Sequence, residues 1–250
     1  MGNEGPGGGR WIDVAPERLT GWLETFAQRH GGATAGQATG TGQGTGTGQG
    51  TGTGQATGTV TFLAADGAVA QCHVPFPPLP DSLPEAGAEQ AGAHPWTHRA
   101  EQIAAHARAE RTVAVFLVRL GGYAAGVFTG PAPQLAASKV GARLVHGRSA
   151  AGGTSQHRFA RRREKQAAEA LAVAATTAVA VFGPYAGKID AVVLGGDRRA
   201  MAVLRADPRL APYLALAVER FLTVPDPRLT VLRSTPRLFR AVRIRLTDPA

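Results

Sequence analysis

The chain has 250 residues, is 44% hydrophobic and carries a formal net charge of +9, which is enough apolar material for one or two buried cores and excludes a wholly disordered tail. Lysine occurs only at Lys139, Lys165 and Lys188, so arginine supplies nearly all the positive charge, and a polyanion is the expected partner because the planar guanidinium fork suits phosphate oxygens. Cys72 is the single cysteine, which excludes an intramolecular disulfide and a cysteine-built zinc cluster and fits a reducing cytoplasm.

The N-terminal "MGNEGPGGGRW" has no signal-peptide apolar stretch. Pro16 can open a helix, after which Leu19, Trp22, Leu23 and Phe26 follow at i, i+3, i+4 and i+7 as one apolar stripe. Residues 31–58, rich in Gly, Thr and Gln, offer no apolar side chain larger than alanine and are expected to form a disordered insertion. "TVTFLAADGAVAQCHVPF" reads as two strands around Asp66-Gly67, a strong hairpin signal. A Pro/Ala-rich loop over 77–98 and a short helix from Arg99 to Glu110 are expected next. "TVAVFLVRLGGYAAGVFTG" predicts two strands turning at Gly121-Gly122, the first apolar enough for a central position. Leu135 to Gly147 adds one or two strands.

From Gln156 the pattern turns helical, with Phe159, Arg163, Ala167, Ala170, Leu171, Ala174, Ala178 and Val181 on one face until Gly183-Pro184 stops it. The apolar part, Ala170 to Phe182, is short and alanine-rich, so no membrane association is expected. Ile189 to Asp197 predicts a buried strand, "RRAMAVLRA" and "LAPYLALAV" predict helices, and "ERFLTV" and "RAVRIRL" predict strands. Strands and helices mixed in this way point to an α+β fold with a mixed β-sheet packed with helices.

Immediately before the long helix, "GRSAAGGTSQHRFARRRE" sets a patch of small residues against a dense run of arginines. Arg158, Arg161, Arg162 and Lys165 recur at i, i+3, i+4 and i+7, opposite the apolar stripe, where their mutual repulsion and the helix dipole both disfavour cations. Phosphate contact relieves that cost; a plain solvated face is the alternative. Gly152 and Gly153 open backbone conformations closed to other residues, while Thr154 or Ser155 can act as N-cap. The Gln156 amide orients a water or substrate atom without titrating. Lys139, Arg143 and Arg148, leading into the loop, complete the candidate RNA-binding set. The histidines lack metalloprotease spacing and are expected at the surface. Asp190 and Asp197 bracket a strand as metal carboxylates can, although Asp197 after Gly-Gly is more simply a helix cap.

"SKVGARLVHGRSAAGGTSQHRFARRRE", with "VLGGDRRA" and "ADPRLAP" downstream, resembles the actinobacterial branch of the Vms-like release factors, a family of peptidyl-tRNA hydrolases. The likeness extends from "WIDVAPERLTGWLETFAQRHG" to "FRAVRIRL". The family is similar to the catalytic domain of eukaryotic and archaeal peptide release factors, whose Gly-Gly-Gln loop reaches the peptidyl-transferase centre. Here Thr154 and Ser155 separate Gly153 from Gln156, giving the Gly-x-x-Gln form. The resemblance implies a single RNase H-like release-factor domain over 1–250, with peptidyl-tRNA and large-subunit ribosomal RNA as partners and no cofactor or metal. It implies ester hydrolysis with Gln156, Gly153 and Gly152 as the catalytic loop. A non-catalytic RNA-binding ribosome factor and a nuclease cutting the tRNA 3′ end are the alternatives.

Overall fold

The structure is a computed structural model that describes residues 4–5, 9–35, 58–80, 95–119, 121–142 and 155–249, with the backbone alone described over 155–163. By its contacts the chain divides into two compact units, one made of 1–109 with 240–250 and the other of 110–239. The sequence reading had treated 1–250 as a single domain.

In the first unit, β1 (Glu4–Gly5), β2 (Gly9–Val14), β3 (Ala33–Ala35), β4 (Thr59–Ala64), β5 (Val69–His73) and β11 (Val242–Thr247) form a sheet in the order β1-β2-β11-β5-β4-β3. All its pairings are antiparallel. Alternation along each strand sends Val60, Phe62, Ala70, Cys72, Val242 and Ile244 to one face, as period-two geometry requires. On that face pack α1 (Leu19–Arg29) and α2 (Pro95–Arg108), which contribute Leu19, Leu23, Phe26, Trp96 and Ile103 to the same core. Each large side chain so buried stabilises the fold by roughly 1.5–3 kcal/mol. The β4–β5 turn is held by Asp66 Oδ1 accepting from the Ala68 N–H at 3.0 Å, with Gly67 at φ 91°.

Three sequence expectations change here. The insertion expected over 31–58 gives up its first residues to β3, which pairs Ala33 with Ala64 and Ala35 with Phe62. A ladder of backbone hydrogen bonds needs no large side chain, and Ala33 and Ala35 still rest on the core. Residues 36–57 lie outside the described residues. The loop expected to reach residue 98 ends by Pro95, where α2 starts and Trp96 is buried; 81–94 lie outside the described residues. His106, expected at the surface, is buried with its Nε2 2.9 Å from the Phe76 carbonyl.

In the second unit, β6 (Val113–Arg119), β7 (Gly122–Thr129), β8 (Gln134–Ala142), β9 (Ala191–Gly196) and β10 (Ala217–Leu222) form a sheet in the order β10-β9-β6-β7-β8. The meander β6-β7-β8 is antiparallel, whereas β9 runs parallel to both β6 and β10. Burial of every residue from Val113 to Val118 explains the unbroken apolar run of β6, a central strand covered on both faces. One face carries α3 (Ser155–Phe182), α4 (Arg198–Leu204) and the short α5 (Ala211–Leu214), with Phe116, Ala125, Val192 and Leu194 beneath them. The other is covered by α6 (Leu229–Phe239) through Leu232, Thr235 and Phe239. Gly126 permits that contact, since a Cβ there would lie 2.9 Å from Leu135 and Leu232.

The expected α+β fold with a mixed sheet is what forms. The helix expected over "LAPYLALAV" is cut to α5 because Ala217 is claimed by parallel pairing with Val192. Helix α6 had no counterpart in the sequence reading, and Pro236 lies inside it. Residues 164–185 are, by length and composition, long and apolar enough to cross a membrane, yet Ala174, Ala175, Ala178 and Phe182 of this stretch belong to the core of the second unit.

Candidate functional site

Helix α3 joins the end of β8 to the start of β9. Because β8 runs antiparallel to β7, as β6 does, it shares its direction with β6, β9 and β10. Ala142 therefore ends β8 at the sheet edge where β6 ends at Arg119, both lying beside Gly122. Residues 143–154 lie outside the described residues, and description resumes at Ser155, the first residue of α3.

The helix has 28 residues, and among those whose side chains are described, from Glu164 onward, the ones that join the hydrophobic core begin at Leu171. About 22 Å of helix axis separates Gln156 from Leu171, at about 1.5 Å per residue. Phe182 anchors the far end, edge-on to Phe116 at 6.3 Å and to Tyr213 at 5.4 Å between ring centroids. Thr177 donates to the Tyr123 hydroxyl at 3.2 Å, and Gly141 lets that ring lie close, since a Cβ there would fall 2.4 Å from it and displace it. The C-terminal half of α3 is thus fixed to the sheet.

Gln156, Arg158, Arg161 and Arg162 lie on the first turns of α3, where the backbone alone is described. The Gln156 N–H is among the first four of the helix, which have no carbonyl four residues earlier in the helix to receive them. Lys165 is exposed on the same helix, and Lys139 is exposed on β8 opposite Ala125. Gly152, Gly153, Arg143 and Arg148 lie outside the described residues.

Three arginines absent from the sequence-based set lie at the carboxyl edge of the parallel strands. Arg119 donates to the Val224 carbonyl at 2.9 Å and approaches Asp226 at 3.8 Å. Arg198 lies over the Phe221 ring at 4.4 Å, and Arg199 beside it is exposed. The signal for the first was a single charge closing an apolar strand. For the others it was "GGDRR", in which Gly196 has φ 100° and a Cβ would meet the Val118 carbonyl oxygen at 2.1 Å.

Asp190 and Asp197 precede and follow β9, at its opposite ends. The Thr112 N–H donates to Asp190 Oδ2 at 2.7 Å. Burial pulls the neighbouring Arg111 guanidinium below its usual range, while the Asp190 charge pushes it back up. Asp197 caps α4, accepting from the Arg199 N–H at 2.8 Å. Six residues of extended strand span roughly 20 Å, so these two carboxylates do not share one ion. Among the described residues, no group of three or more His, Cys, Asp or Glu side chains is arranged to hold a metal.

Comparison with protein families matches residues 111–245 to the Actinobacteria/chloroflexi VLRF1 release factor. That stretch is more than half of the chain, runs from just before β6 into β11, and includes α3 with the segment before it. A comparison with curated proteins returned no match. Among solved structures, a "Vms1 mitochondrial localization core" is similar over 74% of this chain and 75% of that chain, with 11% sequence identity and a TM-score of 0.34.

Proposed function

Because the chain belongs to the Actinobacteria/chloroflexi VLRF1 release factor family, we propose that it is a peptidyl-tRNA hydrolase that frees nascent chains from tRNA on stalled large ribosomal subunits. The reading is carried by the family match across 111–245, which takes in Gly153-Thr154-Ser155-Gln156, the last two being the first residues of α3. Strand order in the second unit, an antiparallel meander continued by two parallel strands, is compatible with the RNase H-like catalytic domain that the resemblance implies.

In this proposal the loop reaches the tRNA 3′ end while Arg158, Arg161, Arg162 and Lys165, with Lys139, Arg143 and Arg148, meet phosphates of tRNA or ribosomal RNA. Phosphate contacts set the position, and the loop acts. A water oxygen attacks the carbonyl carbon of the ester that joins the peptide to the terminal ribose. The acyl C–O bond breaks, the ribose oxygen leaves and takes up one of the two water protons, the other passes to solvent, and the peptide keeps a carboxylate. The Gln156 amide does not titrate, so it orients the water rather than removing its proton. Its backbone N–H, unused within the helix and at the positive end of the helix dipole, is suited to stabilise charge developing on oxygen.

Turnover of purified peptidyl-tRNA on isolated large subunits tests this, run with and without a chelator at matched magnesium. Release of peptide from intact tRNA, unchanged by chelation, supports ester hydrolysis. A shortened tRNA 3′ end makes the protein a nuclease. Stable subunit binding with no product makes it a non-catalytic ribosome factor.

A further inference from the structure

The first unit's sheet has a second face, made by the residues between its core positions. On the central strand β11 that face carries Arg243 and Arg245, paired with Asp13 and Trp11 of β2 on one side and with His73 and Gln71 of β5 on the other. Trp11 leans across β11: its ring centroid lies 5.1 Å from that of His73, two strands away, tilted by 52°. The Arg243 guanidinium stacks over the Trp11 ring at 4.4 Å. Gly9 leaves space for Arg245, since a Cβ at that position would stand 2.9 Å from its Nε and 3.1 Å from its Cγ. Arg243 is exposed, and Trp11, His73, Gln71 and Arg245 are half-buried.

Two guanidinium groups, Arg243 and Arg245, beside the carboxylate of Asp13 give the patch a positive balance, and the Trp11 and His73 rings, tilted by 52° to each other, lie among hydrogen-bonding side chains. Unpaired bases stack on aromatic rings and guanidinium planes and satisfy their edges with polar side chains, while their backbone seeks positive charge. A protein partner of ordinary kind would favour an apolar centre with few charges. We propose that this face binds single-stranded RNA, with Trp11 and His73 stacking on bases and Arg243 and Arg245 meeting phosphates. Neither α3 nor Gln156 enters the proposal, so it stands apart from the hydrolytic reading.

The test uses the full chain and a labelled single-stranded RNA oligonucleotide of mixed sequence, with a duplex of equal length as the comparison. Both are titrated in the background of Arg161→Glu with Arg162→Glu, which holds the contribution of α3 constant. Trp11→Ala is expected to weaken single-strand binding about ten-fold, within the range for loss of one stacked base. Duplex binding is expected to change less than about two-fold, because paired bases offer no free face. Trp11→Phe, which keeps a stacking ring, restores most of the affinity. Replacing Arg243 and Arg245 with Gln flattens the log-log salt dependence by about 1.4, at about 0.7 per single-strand phosphate contact. Indole emission is quenched by RNA in the parent protein, and Trp11→Phe removes that change even if Trp11→Ala folds poorly. Equal loss of single-strand and duplex binding, or single-strand binding that is unchanged by Trp11→Ala and leaves indole emission unaltered, overturns the proposal and leaves the face to a protein partner. Peptidyl-tRNA and ribosomes are absent from this assay, so its failure is distinct from failure of the hydrolytic reading.

Discussion

A proline placed just before the anchored half of α3 separates how firmly the helix is held from how accurately it aims the loop. Ala168 is exposed and precedes Leu171, the first of the described α3 side chains packed in the core. Ala168→Pro removes one helical hydrogen bond and clashes with the carbonyl of Glu164, at a cost of about 3 kcal/mol to the helix. That cost falls on turns before the core-packed stretch from Leu171 to Phe182, so the melting temperature of the whole chain should drop far less than it does for Phe182→Ala. The latter deletes a ring packed against Phe116 and Tyr213 and should cost about 3–5 kcal/mol of global stability. Catalysis should respond in the opposite order. With roughly 18 Å of helix between residues 156 and 168, a bend of even modest angle displaces Gln156 by several ångströms, and misplacement by about 1 Å can cost about 100-fold in rate. Single-turnover peptidyl-tRNA hydrolysis, read beside thermal melting, should show Ala168→Pro at least about 100-fold slower. Ala168→Gly, costing about 1 kcal/mol without a kink, should remain within about five-fold. Release by Ala168→Pro near the parent rate would refute the idea that α3 aims the loop.

Gly196→Ala should lower unfolding free energy in urea by about 3 kcal/mol, because the site combines φ 100° with a Cβ position 2.1 Å from the Val118 carbonyl oxygen; an unchanged midpoint would contradict this. Replacing 36–57 with a linker of about six residues, enough to cross the roughly 13 Å of strand between Phe62, the partner of Ala35, and Gly58, should keep the fold and raise stability by about 1 kcal/mol, because a shorter loop closes at lower entropic cost. A lower melting temperature would show that the deleted stretch contributes contacts. The hydrogen bond from the Ala68 N–H, then that with His30, holds the Asp66 carboxyl below its ordinary value. A carboxylate so depressed stabilises the fold above its ordinary unfolded value, and the contribution is lost as pH falls through the folded one. Asp66→Asn should therefore melt lower than the parent at neutral pH and converge with it in strong acid; parallel curves across that range would contradict the assignment.

Much of the fold was legible because local chemistry and tertiary outcome agree. The α1 stripe, the Asp66-Gly67 hairpin, the apolar β6 and the long α3 are each specified by spacing within their own segments. The exceptions depend on partners distant in sequence. The three residues of β3 are a strand because β4 lies beside them, and nothing in Ala-Thr-Ala distinguishes them from the Gly/Thr/Gln stretch that follows. Pairing of Arg243 with Asp13 and His73, which returns the last strand to the first unit, leaves no local trace. Helix α6 was hidden by Pro236, although Leu232, Thr235 and Phe239 keep a helical spacing. At the candidate site the chemistry-bearing residues were visible as a juxtaposition of small residues and arginines. Their mounting on the first turns of a helix anchored through its C-terminal half emerged from the described core contacts of that half, and the cross-strand stack of Trp11, His73 and Arg243 emerged from strand order alone.

The most direct measurement is single-turnover release from peptidyl-tRNA on large subunits at saturating protein, comparing Gln156→Ala with Arg161→Glu/Arg162→Glu. Loss of the amide should abolish release while subunit affinity and melting temperature stay close to the parent, and raising protein concentration should not recover it. The arginine variant should bind more weakly, with a flatter salt dependence by about 0.7–0.9 per lost phosphate contact, and regain part of its rate at saturation. Parent-like hydrolysis by Gln156→Ala would contradict the catalytic assignment of the Gly-x-x-Gln loop.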